Sequence, residues 1–258
     1  MKRIVIVFLF LALAGPAFAF DHSYKNWNQV LGEFVVTQGT QSRVKYRALK
    51  KSPAKLEAFV KEVAKVTPEE FAAFSKEQQT AFLLNAYNAL VVKLVYPEIY
   101  GIDEIGDITG LLSSPFSQNF FTLLGEESDL NDIVALLRKD RPDPRIHFAL
   151  CNSGRSSASL RAEAYIAERL DAQLEDQTRN FINDRNRVSF VSGRPPRLFV
   201  SNIFETYRTD FPAEEEAFRD FILKYLVLDD DEVRDKIRKK TTYLVYGREN
   251  STLNRAQE

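Results

Sequence analysis

The chain has 258 residues, with 35 basic and 36 acidic side chains and a formal net charge of −1. No block of like charge stands out, so composition gives no support to nucleic acid or an anionic membrane as a partner. A single cysteine cannot form an internal disulfide, so stability must come from an apolar core, which a chain of this length can build.

Met1-Lys2-Arg3, the apolar run from Ile4 to Ala14 and the end Gly15-Pro16-Ala17-Phe18-Ala19 have the pattern of a secretory signal peptide over residues 1–19. The apolar run is shorter than the roughly 20 residues of a spanning helix. No later segment approaches that length, so the mature chain is expected in the periplasm or outside the cell, with no transmembrane segment. Cleavage after Ala19 leaves 239 residues and, with Lys2 and Arg3 gone, a net charge of −3.

Residues 22–36 read as an amphipathic helix carrying Trp27, Val30, Leu31 and Phe34. Val44-Lys45-Tyr46 reads as extended. Ser52-Pro53 opens a helix to Lys65, and Thr67-Pro68-Glu69-Glu70 is a helix start with a threonine cap, proline in the first turn and acids at the positive end. The helix from Lys76 to Val95 is apolar almost all round and therefore buried. On it, Asn85 and Asn88 lie side by side, and buried amides must either hold a loop or line a site.

Residues 97–127 read as loop. Leu130–Arg138 is a helix ended by Pro142-Asp143-Pro144, Ile146–Cys151 a strand, and Leu160–Asn183 a long helix. Val188–Val191 and Arg197–Val200 are strands, Ile203–Tyr207, Glu214–Leu226 and Asp231–Lys239 helical, and Thr241–Tyr246 a last strand. The expected fold is α+β: one mostly helical domain over residues 22–246 around a small antiparallel sheet, with a polar tail over 247–258 that frays after Tyr246.

The stretch from Asp143 to Ser157 concentrates the chemistry. It holds Cys151, and His147 is one of only two histidines. On a strand, side chains four apart sit about 13 Å from each other, too far for a thiol–imidazole pair, which needs roughly 2.6–3.2 Å. Cys151 then reads as a small buried hydrophobe and His147 as a hydrogen-bonded core histidine. Asn152-Ser153-Gly154-Arg155-Ser156-Ser157, ahead of a helix, offers N–H groups, hydroxyls and a guanidinium suited to a carboxylate or phosphate. There is no metal-ligating cluster and no cofactor motif. The acidic runs Glu214–Glu216 and Asp229–Glu232 lack the spacing of a calcium loop and read as helix N-terminal acids.

Several motifs in order resemble the family of domains of unknown function numbered 547: Phe82-Leu83-Leu84-Asn85-Ala86-Tyr87-Asn88-Ala89, Asp129-Leu130-Asn131-Asp132-Ile133, Asp143 to Leu150, Glu163-Ala164-Tyr165 with Leu170-Asp171 and Gln173-Leu174, and Phe204 with Tyr207, Asp210 and Phe211. The resemblance runs from Trp27 to Asn254. It implies a papain-like or transglutaminase-like site of cysteine, histidine and aspartate. Where the family carries cysteines, this chain holds Asn152 and Ser157. Val134-Ala135 stands for Glu-His, and Tyr246-Gly247-Arg248 for Tyr-Asp-Trp, with Leu253-Asn254 retained. The resulting expectation is a non-catalytic domain with a degenerate thiol-enzyme-like cleft. Asn85, Asn88, Arg145, His147, Asn152, Arg155 and Ser157 would bind a small molecule, peptide or protein. The alternative is a hydrolase or transferase using Cys151 as nucleophile and His147 as base.

Overall fold

In the computed structural model, which describes residues 19–109, 114–139, 143–247 and 251–256, Phe20 packs edge-on against Phe82, with ring centroids 5.1 Å apart. The expected signal peptide lies outside the described residues except for Ala19, and Pro142 also falls outside them.

Helix α1 (Lys25–Phe34) buries Trp27, Val30, Leu31 and Phe34, the face its spacing predicts. It leads into a hairpin of β1 (Val35–Gln38) and β2 (Gln41–Val44), which turns at Gly39, where a φ of 59° suits a residue without Cβ. Tyr46, read from sequence as extended, instead opens α2 (Tyr46–Lys51). Next come α3 (Ala54–Val63) and α4 (Pro68–Ala73), the latter capped as expected, with the Thr67 hydroxyl accepting the Glu70 N–H at 3.2 Å. Helix α5 (Lys76–Val95) covers the predicted residues, starts in a Ser75–Gln78 capping box and is buried without interruption from Ala81 to Val92.

A second hairpin, β3 (Phe121–Leu123) and β4 (Glu126–Ser128), precedes α6 (Leu130–Arg138), which is capped reciprocally by Asp129 and Asp132. After the 3-10 turn Pro144–Phe148 the chain reaches α7 (Leu170–Ile182). Strands β5 (Val188–Val191) and β6 (Arg197–Val200) pair antiparallel. Beyond α8 (Ile203–Thr206), α9 (Glu215–Tyr225) and α10 (Asp231–Arg238), strand β7 (Tyr243–Tyr246) joins β6 in parallel. The acidic runs serve the last two helices: Glu215 pairs with Arg219, and the Asp230 carboxylate accepts the Glu232 N–H at 2.8 Å.

The fold is α+β and mostly helical. One apolar cluster surrounds α5 and draws on α1, α3, α6 and α7. A second gathers β5, β6 and α9 with Phe148 and Phe204. Each fully buried Leu or Phe in these clusters contributes about 1.5–3 kcal/mol. The 3-10 turn is the seam between them: Ile146 packs in the first cluster and Phe148 in the second.

Three further expectations are corrected. Ile146–Cys151 is not a strand; Pro144–Phe148 winds as a 3-10 turn, its start capped by Asp143, whose carboxylate accepts the Arg145 N–H at 2.9 Å. The long helix does not begin at Leu160 but at Leu170. The residues before it have their backbone groups met by side-chain amides: Asn28 accepts the Ala164 N–H at 2.8 Å, Gln173 the Ile166 N–H at 3.0 Å, and Gln177 donates to the Ser159 carbonyl at 2.5 Å. The tail does not fray over 251–256. Leu253 is buried, and the segment bridges Val44, Glu104 and Gly154.

Candidate functional site

The loop from Asn152 to Ser157 is held from several sides. Asn88 on α5 clamps its entry: the Asn88 amide donates to the Ala149 carbonyl and accepts the Cys151 N–H, both at 2.9 Å. One turn earlier, Asn85 donates to the Tyr165 carbonyl at 2.7 Å and accepts the Tyr165 N–H at 3.0 Å. Both amides are buried and spent on backbone groups, so they hold loops and do not face a cleft. Within the loop, the Asn152 side-chain oxygen accepts the Gly154 N–H at 3.0 Å. Ser153 sits at φ 65°, a left-handed conformation that a non-glycine residue adopts only when its surroundings impose it. The surroundings are Tyr46, whose hydroxyl lies 2.7 Å from Ser153 Oγ, and Asn254, whose N–H donates to the Ser153 carbonyl at 2.8 Å.

Cys151 and His147 do not meet. The Cys151 thiol is buried, its nearest polar side-chain partner is Ser157 Oγ at 3.8 Å, and burial pushes its pKa up, away from the thiolate. The His147 imidazole has no exposed side-chain surface and stacks on Tyr207, with centroids 3.9 Å apart and planes 15° from parallel. Its Nε2 lies 2.8 Å from Asp210 Oδ2. A carboxylate only accepts, so Nε2–H donates and Nδ1 keeps its lone pair. Among the described residues Nδ1 has no hydrogen-bond partner, so it is not bonded to the thiol. Burial lowers the His147 pKa against the opposing pull of Asp210. Burial raises that of Asp210, but bonds from Arg138 and His147 outweigh it and hold the carboxyl below its usual value. Arg138 completes the cluster through two bonds to Asp210, at 2.5 and 2.7 Å.

Arg145 is likewise committed. It forks onto Asp143 and reaches Asp171 at 2.7 Å and Glu175 at 3.2 Å, tying the 3-10 turn to α7. The hydrogen bonds to Asp143 raise its pKa above the ordinary arginine value, and three carboxylates leave it no charge to offer a ligand. Arg155, in contrast, is exposed and stands on the other side of the loop.

A cavity of about 230 Å³ opens on the loop. Asn152, Ser156 and Ser157 form one wall, Tyr87 of α5 with Asn131 and Val134 of α6 a second, and Asn202, Ile203, Thr206 and Tyr207 a third, with Ser114 and Phe116 at the rim. Of the seven residues proposed from sequence, the cavity brings together Asn152 and Ser157. Sequence reading missed Asn202 and Thr206, since nothing marks a polar residue at the end of a distant helix as facing this loop, and Asn131 and Tyr207 stood in the quoted motifs without being read as site residues. Tyr87 stood between the two flagged asparagines and was legible as part of that motif.

Residues 71–182, from α4 to the last residue of α7, match the family described as Protein of unknown function, DUF547. Over that stretch the chain is similar to this family. No curated protein and no solved structure matches it. The DUF547 match is shorter than the stretch from Trp27 to Asn254 over which the resemblance reads, and it holds both asparagine clamps, the cavity loop and α6. Three positions where the chain departs from the pattern of that resemblance, Val134, Asn152 and Ser157, converge in the cavity.

Proposed function

We propose that this protein is an exported, non-catalytic binding domain whose cavity takes an uncharged polar ligand, a small molecule or a peptide segment. The observation that carries the reading is the lining. Asn131, Asn152 and Asn202 offer amides, and Ser114, Ser156, Ser157 and Thr206 hydroxyls, while Tyr87, Phe116 and Tyr207 supply aromatic rings. Among the described residues, no acid, base or thiol lines it. Acyl transfer needs a nucleophile and a base within hydrogen-bond reach, and the two candidates from sequence are buried apart from each other. Amides and hydroxyls over aromatic faces recognise neutral donors and acceptors while water leaves the apolar surface. The volume equals that of about eight liquid waters, enough for one sugar ring or a short side chain. Export rests on the composition of residues 1–19.

The test is a thermal-shift and calorimetric screen of the processed chain against uncharged saccharides and peptides. A ligand that stabilises the wild type should lose that effect in Asn152→Leu, which fills the cavity with an apolar side chain, and keep it in Cys151→Ala. Hydrolysis of an ester or thioester reporter by the wild type, abolished in Cys151→Ala, would overturn the reading.

A further inference from the structure

The opposite side of the same loop has a different character. Arg43 of β2, Arg47 of α2, Arg155 of the loop and Arg255 of the 251–256 segment line a concave pocket of about 310 Å³, floored by Tyr46 and Ile99. Three stretches far apart in sequence, around residues 43–47, 155 and 255, converge there, and backbone bonds fix them. The Arg155 N–H donates to the Thr252 carbonyl at 2.9 Å, the Val44 N–H to the Asn254 carbonyl at 3.1 Å, and the Ala256 N–H to the Val44 carbonyl at 3.0 Å.

Elsewhere several buried or partly buried arginines are neutralised by carboxylates: Arg138 by Asp210, Arg145 by Asp143, Arg161 by Asp176, Arg219 by Glu215. In the pocket, Asp103 pairs with Arg255 at 2.8 Å. Among the described residues, Arg43 and Arg155 form no ion pair. Like charges held around a concave surface repel one another, and their field concentrates counter-ions. Guanidinium forks match the oxygens of phosphate, and several around one concavity favour a multiply charged group over a single carboxylate. At the rim, Lys50 Nζ lies 4.8 Å from the ring centroid of Tyr100, which is 62% exposed.

The sequence carries a signal for this site. Between Glu33 and Glu57 there is no acidic residue, while Arg43, Lys45, Arg47, Lys50, Lys51 and Lys55 all fall in that interval. Spread over a hairpin and two helices, the run is easily passed over as ordinary surface charge; folding brings Arg43 and Arg47 to one pocket and adds Arg155 and Arg255.

We propose that the pocket of Arg43, Arg47, Arg155 and Arg255 is a binding site for a phosphate-bearing polyanion, entered by a terminal phosphate group. This site is separate from the neutral cavity, and each can fail without the other. The probes are pyrophosphate in solution and phosphatidylcholine vesicles with and without phosphatidic acid, each at low ionic strength and against matched chloride. Pyrophosphate is expected to bind saturably by calorimetry. Arg43→Ala and Arg155→Ala should each weaken it at least tenfold, since each removes charge-assisted bonds, and neither breaks an ion pair that the fold uses. Arg155→Lys should recover part of the loss, and Arg197→Ala, exposed on β6 and outside the pocket, should bind as the wild type does. Vesicle co-sedimentation that depends on phosphatidic acid and on Arg155 identifies the source of the phosphate as a lipid headgroup; its absence beside pyrophosphate binding identifies a soluble one. The proposal is overturned if neither probe binds beyond matched chloride. It is equally overturned if folded Arg43→Ala and Arg155→Ala proteins bind as tightly as the wild type.

Discussion

Asn88→Ala tests whether the asparagine pair on α5 is the anchor of the cavity loop. The amide makes two bonds, to the Ala149 carbonyl and from the Cys151 N–H, each 2.9 Å, and the residue is 2% exposed. Truncation leaves one buried carbonyl and one buried N–H without partners, at about 1–3 kcal/mol each, and adds a small void. The expected loss is about 3–5 kcal/mol, a drop of roughly 6–20 °C in Tm for a domain of this size. Urea unfolding should show a lower midpoint at unchanged slope, because the surface exposed on unfolding is the same. Asn88→Asp sharpens the test. It conserves volume and can still accept from Cys151, yet it places an oxygen against the Ala149 carbonyl, so it should destabilise at least as much as alanine. An Asn88→Ala protein within about 1 kcal/mol of wild type would refute the argument, since two stranded backbone groups cannot cost so little.

His147 should make the fold sensitive to mild acid. Its folded pKa lies below the ordinary value, so its contribution to stability is present above about pH 6.5 and is lost as pH falls through the folded pKa. His22, also lowered by burial, acts in the same window. His147→Phe should flatten the slope of stability between about pH 7 and 5 while lowering stability at neutral pH, and an unchanged slope counts against the buried neutral imidazole. Cys151 should resist a thiol reagent in the native protein and react fully in urea; fast native labelling would contradict its burial. Phe20 N lies 2.6 Å from Glu70 Oε1. Cleavage after Ala19 would make that nitrogen an ammonium, so Glu70→Gln should destabilise the processed chain by about 1 kcal/mol, after discounting for its partial exposure. Equal stability of the two would argue against this maturation contact.

Much of the fold was legible from local signals. The capping box at Ser75, the helix from Leu130 to Arg138 and the strand pair Val188–Val191 and Arg197–Val200 all lie where spacing and caps put them. The failures cluster around the site. Ile146-His147-Phe148-Ala149-Leu150-Cys151 is an apolar run that fits a buried strand as well as any other buried segment. Its true form follows from two cores, one taking Ile146 and the other Phe148, which no local window contains. Residues 159–166 resemble a helix start, but Asn28, Asn85, Gln173 and Gln177 satisfy their backbone from a distance. The site residues were flagged by type, and type alone does not separate an amide that clamps a carbonyl from one that faces a ligand.

The loop from Asn152 to Ser157 is a party wall. Asn152, Ser156 and Ser157 face the neutral cavity, while Arg155 faces the arginine pocket across a few residues of backbone. Ser153 within that wall holds an uncommon conformation imposed by Tyr46 and Asn254. If an occupant on one face shifts the wall, the other face feels it, and the coupling is reciprocal: the factor by which the first ligand changes the second's affinity equals the factor for the converse.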